Sequence, residues 1–261
     1  MSAARPVALV TGASSGIGEA FAIALAQRGH DVVVVARRAD VLGDLATRLR
    51  TDSGAEVEVL AADLATDAGV AAVAERLGDP NRPVDLLVNN AGVGTMGRFW
   101  ELPVEKEAAE VALNVVAVMR LTHAALGPMV GRGRGGVINV SSISAYQPIP
   151  RHATYGATKA FVSSFTNAVH EELRGTGVKA MVLAPGYTRT GFQADGFDPK
   201  GLPEMVWQQP DEVVAGALKA YDRGRAVCVT GAINVATVAA TSVLPAGITR
   251  KVAGALTRRA Y

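Results

Sequence analysis

Thr11-Gly12-Ala13-Ser14-Ser15-Gly16-Ile17-Gly18 ends a short β-branched run, residues 7–11, and leads straight into an Ala-rich helical stretch near 17–28. Glycines let such a turn adopt positive φ and leave no side chain between its backbone and an approaching group. The helix that follows offers free N–H groups and a dipole that favours an anion. The spacing is G-x-x-x-G-x-G, not the G-x-G-x-x-G of the usual dinucleotide fingerprint. A Gly-rich strand-to-helix turn is sometimes purely structural. Its place at the first strand–helix junction favours a pyrophosphate, with Gly12, Ser14, Ser15, Gly16, Ile17 and Gly18 in contact with it.

Working outward, the same alternation continues. Strands are expected at 7–11, 31–36, 56–61, 86–89, 136–140, 179–183 and 227–230. Helices are expected near 17–28, 39–50, 67–77, 103–126, 152–174 and 211–222. The strand segments are almost continuously apolar, as in strands covered on both faces. The pattern predicts an α/β fold: a doubly wound, mostly parallel, seven-stranded Rossmann-type sheet with helices on both faces. No linker or repeat divides the chain, so a single domain over 1–261 is expected. Two stretches break the rhythm: 190–209, rich in Gly and Pro and read as a substrate lid, and the tail 231–261.

Bulk properties narrow the function. With 19% charged residues and a net charge of +2, the pI of 8.8 reflects a small excess and not a basic stripe, which argues against nucleic acid as a partner. The single cysteine, Cys228, excludes an internal disulfide and fits a reducing compartment. Its neighbours Val227 and Val229 suggest inert packing. The first residues lack the apolar core of a signal peptide, and no unbroken apolar run reaches the length of a bilayer span. A cytoplasmic location is expected. His30, His123, His152 and His170 show no metal-ligand spacing.

The chemistry is carried by Tyr155 and Lys159, four residues apart and so on one helix face. A lysine ammonium beside a phenol favours the phenolate and is expected to lower the phenol pKa from its usual value near 10. Ser142 lies thirteen residues before the tyrosine and offers a hydroxyl to the oxygen being protonated; Ser141 is its rival. Asn114 stands between Leu113 and Val115 in an apolar helix. A buried amide without partners costs about 1–3 kcal/mol, so it needs a bond or a task. At the end of the second strand, where NAD-selective folds carry an acid, stand Ala36, Arg37 and Arg38. A missing carboxylate and a guanidinium suit a 2′-phosphate, with Arg37 as its partner and Arg38 as a surface residue opening a helix. The alternative is that Arg37 also only opens that helix. Asp63 follows the third strand and could equally cap the next turn.

Taken in order, the 11–18 turn, Asp63, Asn89-Asn90-Ala91-Gly92, Asn114, Ser142, Tyr155 with Lys159, and Pro185-Gly186 with Thr190 resemble the short-chain dehydrogenase/reductase family in its single-domain branch. The resemblance covers roughly 7–190. It implies that Asp63 contacts the adenine with Leu64 beside it. Asn90, Ala91 and Gly92 would line the cofactor cleft. Tyr155 would be the acid/base, Lys159 would bind the nicotinamide ribose, Ser142 would orient the substrate carbonyl, and Asn114 would hold a water linking Lys159 to solvent. Pro185, Gly186, Thr188 and Thr190 would meet the nicotinamide end. Thr188 departs from the family's usual Val or Ile.

The expected function is NADP(H)-dependent interconversion of a carbonyl and an alcohol. Met96, Phe99, Trp100, Tyr146, Ile149, Phe192, Phe197, Met205 and Trp207 fall in the segments expected to cover the cleft, with Arg98 and Arg151 the charges among them. An apolar ketone or aldehyde is therefore the expected substrate. A redox-silent NADP(H) sensor on the same fold is the alternative, and the intact Ser142, Tyr155 and Lys159 argue against it. The helix near 153–173 carries Phe161, Val162, Phe165, Ala168, Val169 and Leu173, wider than one core-facing stripe, which predicts a homodimer or homotetramer. The tail is expected to pack on protein, with a membrane surface the minority reading.

Overall fold

A computed structural model describes residues 5–192, 204–244, 247–251 and 253–254. Phe197, most of the expected lid and the end of the tail lie outside these residues. Seven strands form one sheet: β1 (Val7–Thr11), β2 (Asp31–Ala36), β3 (Val57–Ala61), β4 (Leu86–Asn89), β5 (Gly135–Val140), β6 (Val178–Ala184) and β7 (Val227–Val229). Their order is β3-β2-β1-β4-β5-β6-β7, and every neighbouring pair among the described residues is parallel. The order reverses between β1 and β4. A crevice therefore opens at the carboxyl ends of these two strands, the usual ligand position in such sheets.

Successive strand residues point to opposite faces, and both faces are filled. Ala8, Val10, Val32, Val34 and Val88 pack with residues of α1 (Gly16–Gln27), α2 (Ala39–Ser53) and α7 (Pro210–Asp222). Leu9, Val33, Val35 and Leu87 pack with residues of α3 (Asp67–Gly78), α5 (Val118–Arg132) and α6 (Ala153–Glu172). That double cover is why the central strands read as unbroken apolar runs. The edge strand β3 is different: Val57 is buried while Val59 is exposed.

α4 (Val104–Val111) continues into α5 through a π turn, Ala112–Ala117. The joined helix, Val104–Arg132, is 29 residues long and by length and composition could cross a bilayer, where no such segment was expected from the sequence. Its Leu121, Ala125 and Met129 lie in the core, the position of a sheet-covering helix. The tail begins with α8 (Ala232–Val243), which the sequence pattern did not predict. Its Val and Thr residues are poor helix formers, and Ala and Val around the helix leave little polar contrast to mark a face.

Candidate active site

The Gly-rich turn is built for close approach. Gly12 and Gly16 have φ of 67° and 59°, in the left-handed region. A Cβ on Gly18 would fall 2.2 Å from the Gly12 carbonyl oxygen, so only glycine lets α1 start against the turn. Ser15 is the N-cap of α1, yet its side chain makes no capping bond. The first N–H groups of that helix are therefore not spent on a side-chain cap, and with the glycine cradle they fit a pyrophosphate.

The second wall of the crevice is tied to this turn. The Thr11 hydroxyl accepts from the backbone N–H of Asn90 (2.9 Å) and Ala91 (3.0 Å) and donates to Val88 O (3.3 Å). The Asn90 amide donates to the Thr11 carbonyl at 3.0 Å. Asn90 thus locks β4 to β1 across the switch point. Gly92 lies deeper: a Cβ there would reach 3.1 Å from Asn114 Oδ1 and 3.4 Å from Lys159 Nζ.

Tyr155 and Lys159 stand on α6 as the spacing requires, with Lys159 Nζ 5.6 Å from the centroid of the Tyr155 ring. The buried ammonium donates to Val140 O at 2.9 Å. Ser142, at the end of β5, lies within hydrogen-bonding reach of the Tyr155 phenol, and its oxygen accepts from Ser144 N at 3.1 Å. Ser141 is spent elsewhere: its hydroxyl bonds Lys159 O and Ser163 Oγ, each at 2.8 Å. The fold thereby decides between the two serines.

The expected direction of the tyrosine pKa is overturned. Burial pushes the Tyr155 phenol up to about 12, against the opposing Ser142 bond, and Glu110 raises it further. Lys159 is the group that moves toward neutrality, pushed down to about 8 by burial while Glu110 opposes. The lysine sits over the ring and bonds a carbonyl, so its charge does not offset the loss of solvent at the phenol oxygen.

Asn114 lies in the π turn with no exposed surface. Its amide donates to Val93 O (2.8 Å) and Thr158 Oγ1 (3.2 Å), and its Oδ1 accepts from Val93 N (3.0 Å). The side chain is a clamp on the loop after β4.

At the end of β2, Arg37 is exposed and makes no bond among the described residues, whereas Arg38 donates to Ser14 Oγ (3.0 Å) and Ser14 O (3.2 Å). Arg38 is the exposed N-cap of α2, as its place before that helix suggested, and it is in addition tethered to the Gly-rich turn. Asp63 is exposed and caps its own turn, accepting from Ala65 N at 3.0 Å. Leu64 is buried in the core, so only its backbone is available beside an adenine.

After β6, Pro185 O accepts from Ile143 N (3.0 Å) and Thr188 Oγ1 donates to Gly186 O (3.1 Å). Thr190 closes on the cradle: a Cβ on Gly16 would fall 2.8 Å from Thr190 Cβ. A cleft of about 670 Å³ opens there, lined by Gly16, Thr190 and Trp207 among others, but by none of Ser142, Tyr155 and Lys159. Phe192 packs on Tyr155, ring centroids 5.8 Å apart. Trp207 meets Tyr187 at 5.6 Å, while Met205 and Trp100 are largely exposed and Phe99 borders a different groove.

Three positions carry more than the sequence reading assigned them. His152, the N-cap of α6, presents its ring to Tyr155 at 6.1 Å, with its pKa lowered by burial. Asn234 of α8 fills the space beside Gly186, where a Cβ would fall 2.2 Å from its Nδ2. Glu110, on α4, is fully buried. No periodic signal marks these sites, and Glu110 stands among the charged Glu105, Lys106 and Glu107, where a buried acid is not distinguished from a solvated one.

Residues 6–200 match the short chain dehydrogenase family. The chain is 37% identical to a short-chain dehydrogenase from Sphingobium yanoikuyae solved in complex with NADPH, with a TM-score of 0.82 over 92% of this chain and 96% of that one. It is 32% identical to the bulky-bulky ketone specific alcohol dehydrogenase from Comamonas testosteroni, with a TM-score of 0.78 over 92% and 95%. A 7beta-hydroxysteroid dehydrogenase from Clostridium sardiniense is 33% identical over 79% of this chain and 78% of its own length. With the parallel sheet, the glycine cradle and the Tyr155–Lys159 pair, these matches identify the chain as an oxidoreductase of the short-chain dehydrogenase/reductase family.

Proposed function

We propose that the protein interconverts an apolar ketone or aldehyde and its alcohol with NADP(H), with Tyr155 as acid/base. The observation that carries this reading is the convergence of Ser142, Tyr155 and Lys159 beside the glycine cradle. When bound, the dinucleotide supplies or accepts the hydride. Tyr155 gives its phenolic proton to the substrate oxygen in reduction and takes one in oxidation. Ser142 donates to the same oxygen, stabilising negative charge that grows as the carbonyl becomes an alkoxide. Lys159 is assigned to the ribose and Asn114 to the fixed loop behind it. Gly12, Ser14, Ser15, Gly16, Ile17 and Gly18 are assigned to the pyrophosphate, Arg37 and Arg38 to a 2′-phosphate, and Asp63 to the adenine.

An apolar substrate is supported by Phe192 against Tyr155 and by Tyr187 and Trp207 beyond it. We read the chain as one domain acting in the cytoplasm as a homo-oligomer. Val162, Val169 and Leu173 go to the protein's own core, which narrows the outward surface of α6 to residues such as Phe161. A groove of about 470 Å³ between Phe99, Val111, Val115, Ala153 and Ala157 widens that surface and supports pairing with a second copy. NADPH consumption across a panel of bulky apolar ketones tests the activity. No turnover by a protein that still binds NADPH would favour the silent sensor.

A further inference from the structure

A carboxylate with no exposed surface, placed in a helix packed against α6, needs a physical reason, because an apolar side chain of similar shape would avoid the desolvation cost. Glu110 is such a residue. Its Oε2 accepts from Thr95 N at 2.9 Å and from Thr95 Oγ1 at 2.8 Å, while its Oε1 is buried without a partner among the described residues. It lies one helical turn before Asn114. The two side chains hold the same loop at neighbouring points, Asn114 at Val93 and Glu110 at Thr95. Between these two pins is Gly94, on which the Tyr155 ring rests: a Cβ there would come within 3.2 Å of Tyr155 Cδ2.

Glu107, three residues earlier, is also buried and accepts from the hydroxyl of Thr154, the residue before Tyr155. Its Oε1 is again without a partner. Two buried acids on α4 thus grip the two backbone segments that flank the Tyr155 ring. We propose that Glu110 is a positioning residue of the catalytic centre: through Thr95 it fixes the backbone under Tyr155, and it supplies the buried negative charge that acts on Lys159. The proposal rests on the oxidoreductase reading of this site.

The ionisable groups acting on Glu110 are Glu107 on its own helix and Lys159 on α6; Thr95, on the loop after β4, is neutral. Burial holds the Glu110 proton more tightly, with Glu107 acting the same way, while the Thr95 bonds and Lys159 favour the carboxylate. In return Glu110 opposes the burial that depresses Lys159. Loss of the charge at 110 should therefore move the Lys159 titration to lower pH.

Glu110→Gln separates the two roles, because the amide oxygen still accepts from Thr95 while the charge is gone. Thr95→Val removes the hydroxyl bond and keeps the acid. Glu110→Ala removes everything. Lys159 is followed by NMR of 13Cε-lysine in the protein without cofactor, its signal assigned with Lys159→Arg, and kcat and KM are measured with NADPH and an accepted ketone. In folded Glu110→Gln, Lys159 should titrate at lower pH than in the wild type, and the alkaline limb of reduction should move with it. Glu110→Ala should lose about 10- to 100-fold in kcat with a smaller change in KM, as for a displaced catalytic group. Thr95→Val should lower kcat and leave the Lys159 titration in place, which keeps the test decisive if Glu110→Ala does not fold. An unmoved Lys159 titration in Glu110→Gln, or kcat within about twofold of wild type in the folded alanine and valine variants, would overturn the proposal. The titration needs neither cofactor nor substrate. A wild type that turns nothing over, with the titration shift intact, would sink the oxidoreductase reading and not the link between Glu110 and Lys159.

Discussion

Arg38 reaches back from the start of α2 to the Gly-rich turn and bonds Ser14 through both its hydroxyl and its carbonyl. Arg37, beside it, is solvent-exposed and makes no bond among the described residues. One guanidinium is held in place at the turn and its neighbour is free to swing onto a ligand. Ala36, between them and the sheet, presents no carboxylate to repel a phosphate.

A 2′-phosphate held by these arginines gains a charge-assisted bond of about 1.5–3 kcal/mol, or roughly ten- to a hundred-fold in affinity. Arg37→Ala should weaken NADPH far more than NADH, and Arg38→Ala should do the same while also loosening the Ser14 turn. Ala36→Asp should push preference toward NADH. The ratio of kcat/KM for the two cofactors with one ketone measures all three. A wild-type preference for NADH would falsify the assignment.

Reduction should fail on the alkaline side because of Lys159, not Tyr155. The phenol, pushed up to about 12 by burial, keeps its proton through the working range. Lys159, pushed down to about 8, loses its charge first. The pH profile of kcat/KM for reduction should fall through about pH 8, and Lys159→Arg should flatten that limb, since guanidinium does not titrate there. Oxidation, which needs the phenol to give up its proton, should quicken as pH rises. Tyr155→Phe should lose about 100- to 10,000-fold in turnover while keeping most of its NADPH affinity.

Lys159 also carries a stability cost whose sign follows from the same shift. Its folded value of about 8 lies below the ordinary 10.5, so between those values the unfolded chain holds the extra proton. Stability from this residue is therefore lowest below about pH 8 and rises as pH climbs toward 10.5. Lys159→Met should raise the unfolding free energy at pH 7, read from urea titration, by at most about 3 kcal/mol, with a smaller gain near pH 10, and should abolish turnover. A gain that does not shrink with pH would mean packing, not the buried charge, is responsible.

The groove between α4 and α6 should close against a second copy. Val111 is 40% exposed at its edge. Val111→Glu would place a charge where an apolar contact is expected, and should convert a dimer or tetramer to smaller species by light scattering while the circular dichroism spectrum is kept. A wild-type protein that is monomeric at micromolar concentration defeats this prediction.

The sequence alone determined the sheet, its parallel sense and the Tyr155–Lys159 pair, because those depend on short-range patterns. Apolar strand runs, the glycine turn and an i, i+4 spacing are each set within about ten residues of chain. Tertiary structure decided what depends on burial and on contacts between distant segments. Ser141 and Ser142 offer the same hydroxyl, and the packing of β5 on α6 commits Ser141 to the backbone and leaves Ser142, the one that the thirteen-residue spacing favoured, beside the phenol. Arg38 was separated from an ordinary surface arginine by a turn 24 residues away. The proton affinity of Tyr155, expected to fall next to a lysine, rises instead, because spacing places a charge nearby but burial sets how much solvent is lost. Glu110 shows the same limit: its residue type was visible, but its hold on Thr95 beneath the Tyr155 ring exists only once α4, α6 and the loop after β4 are packed together.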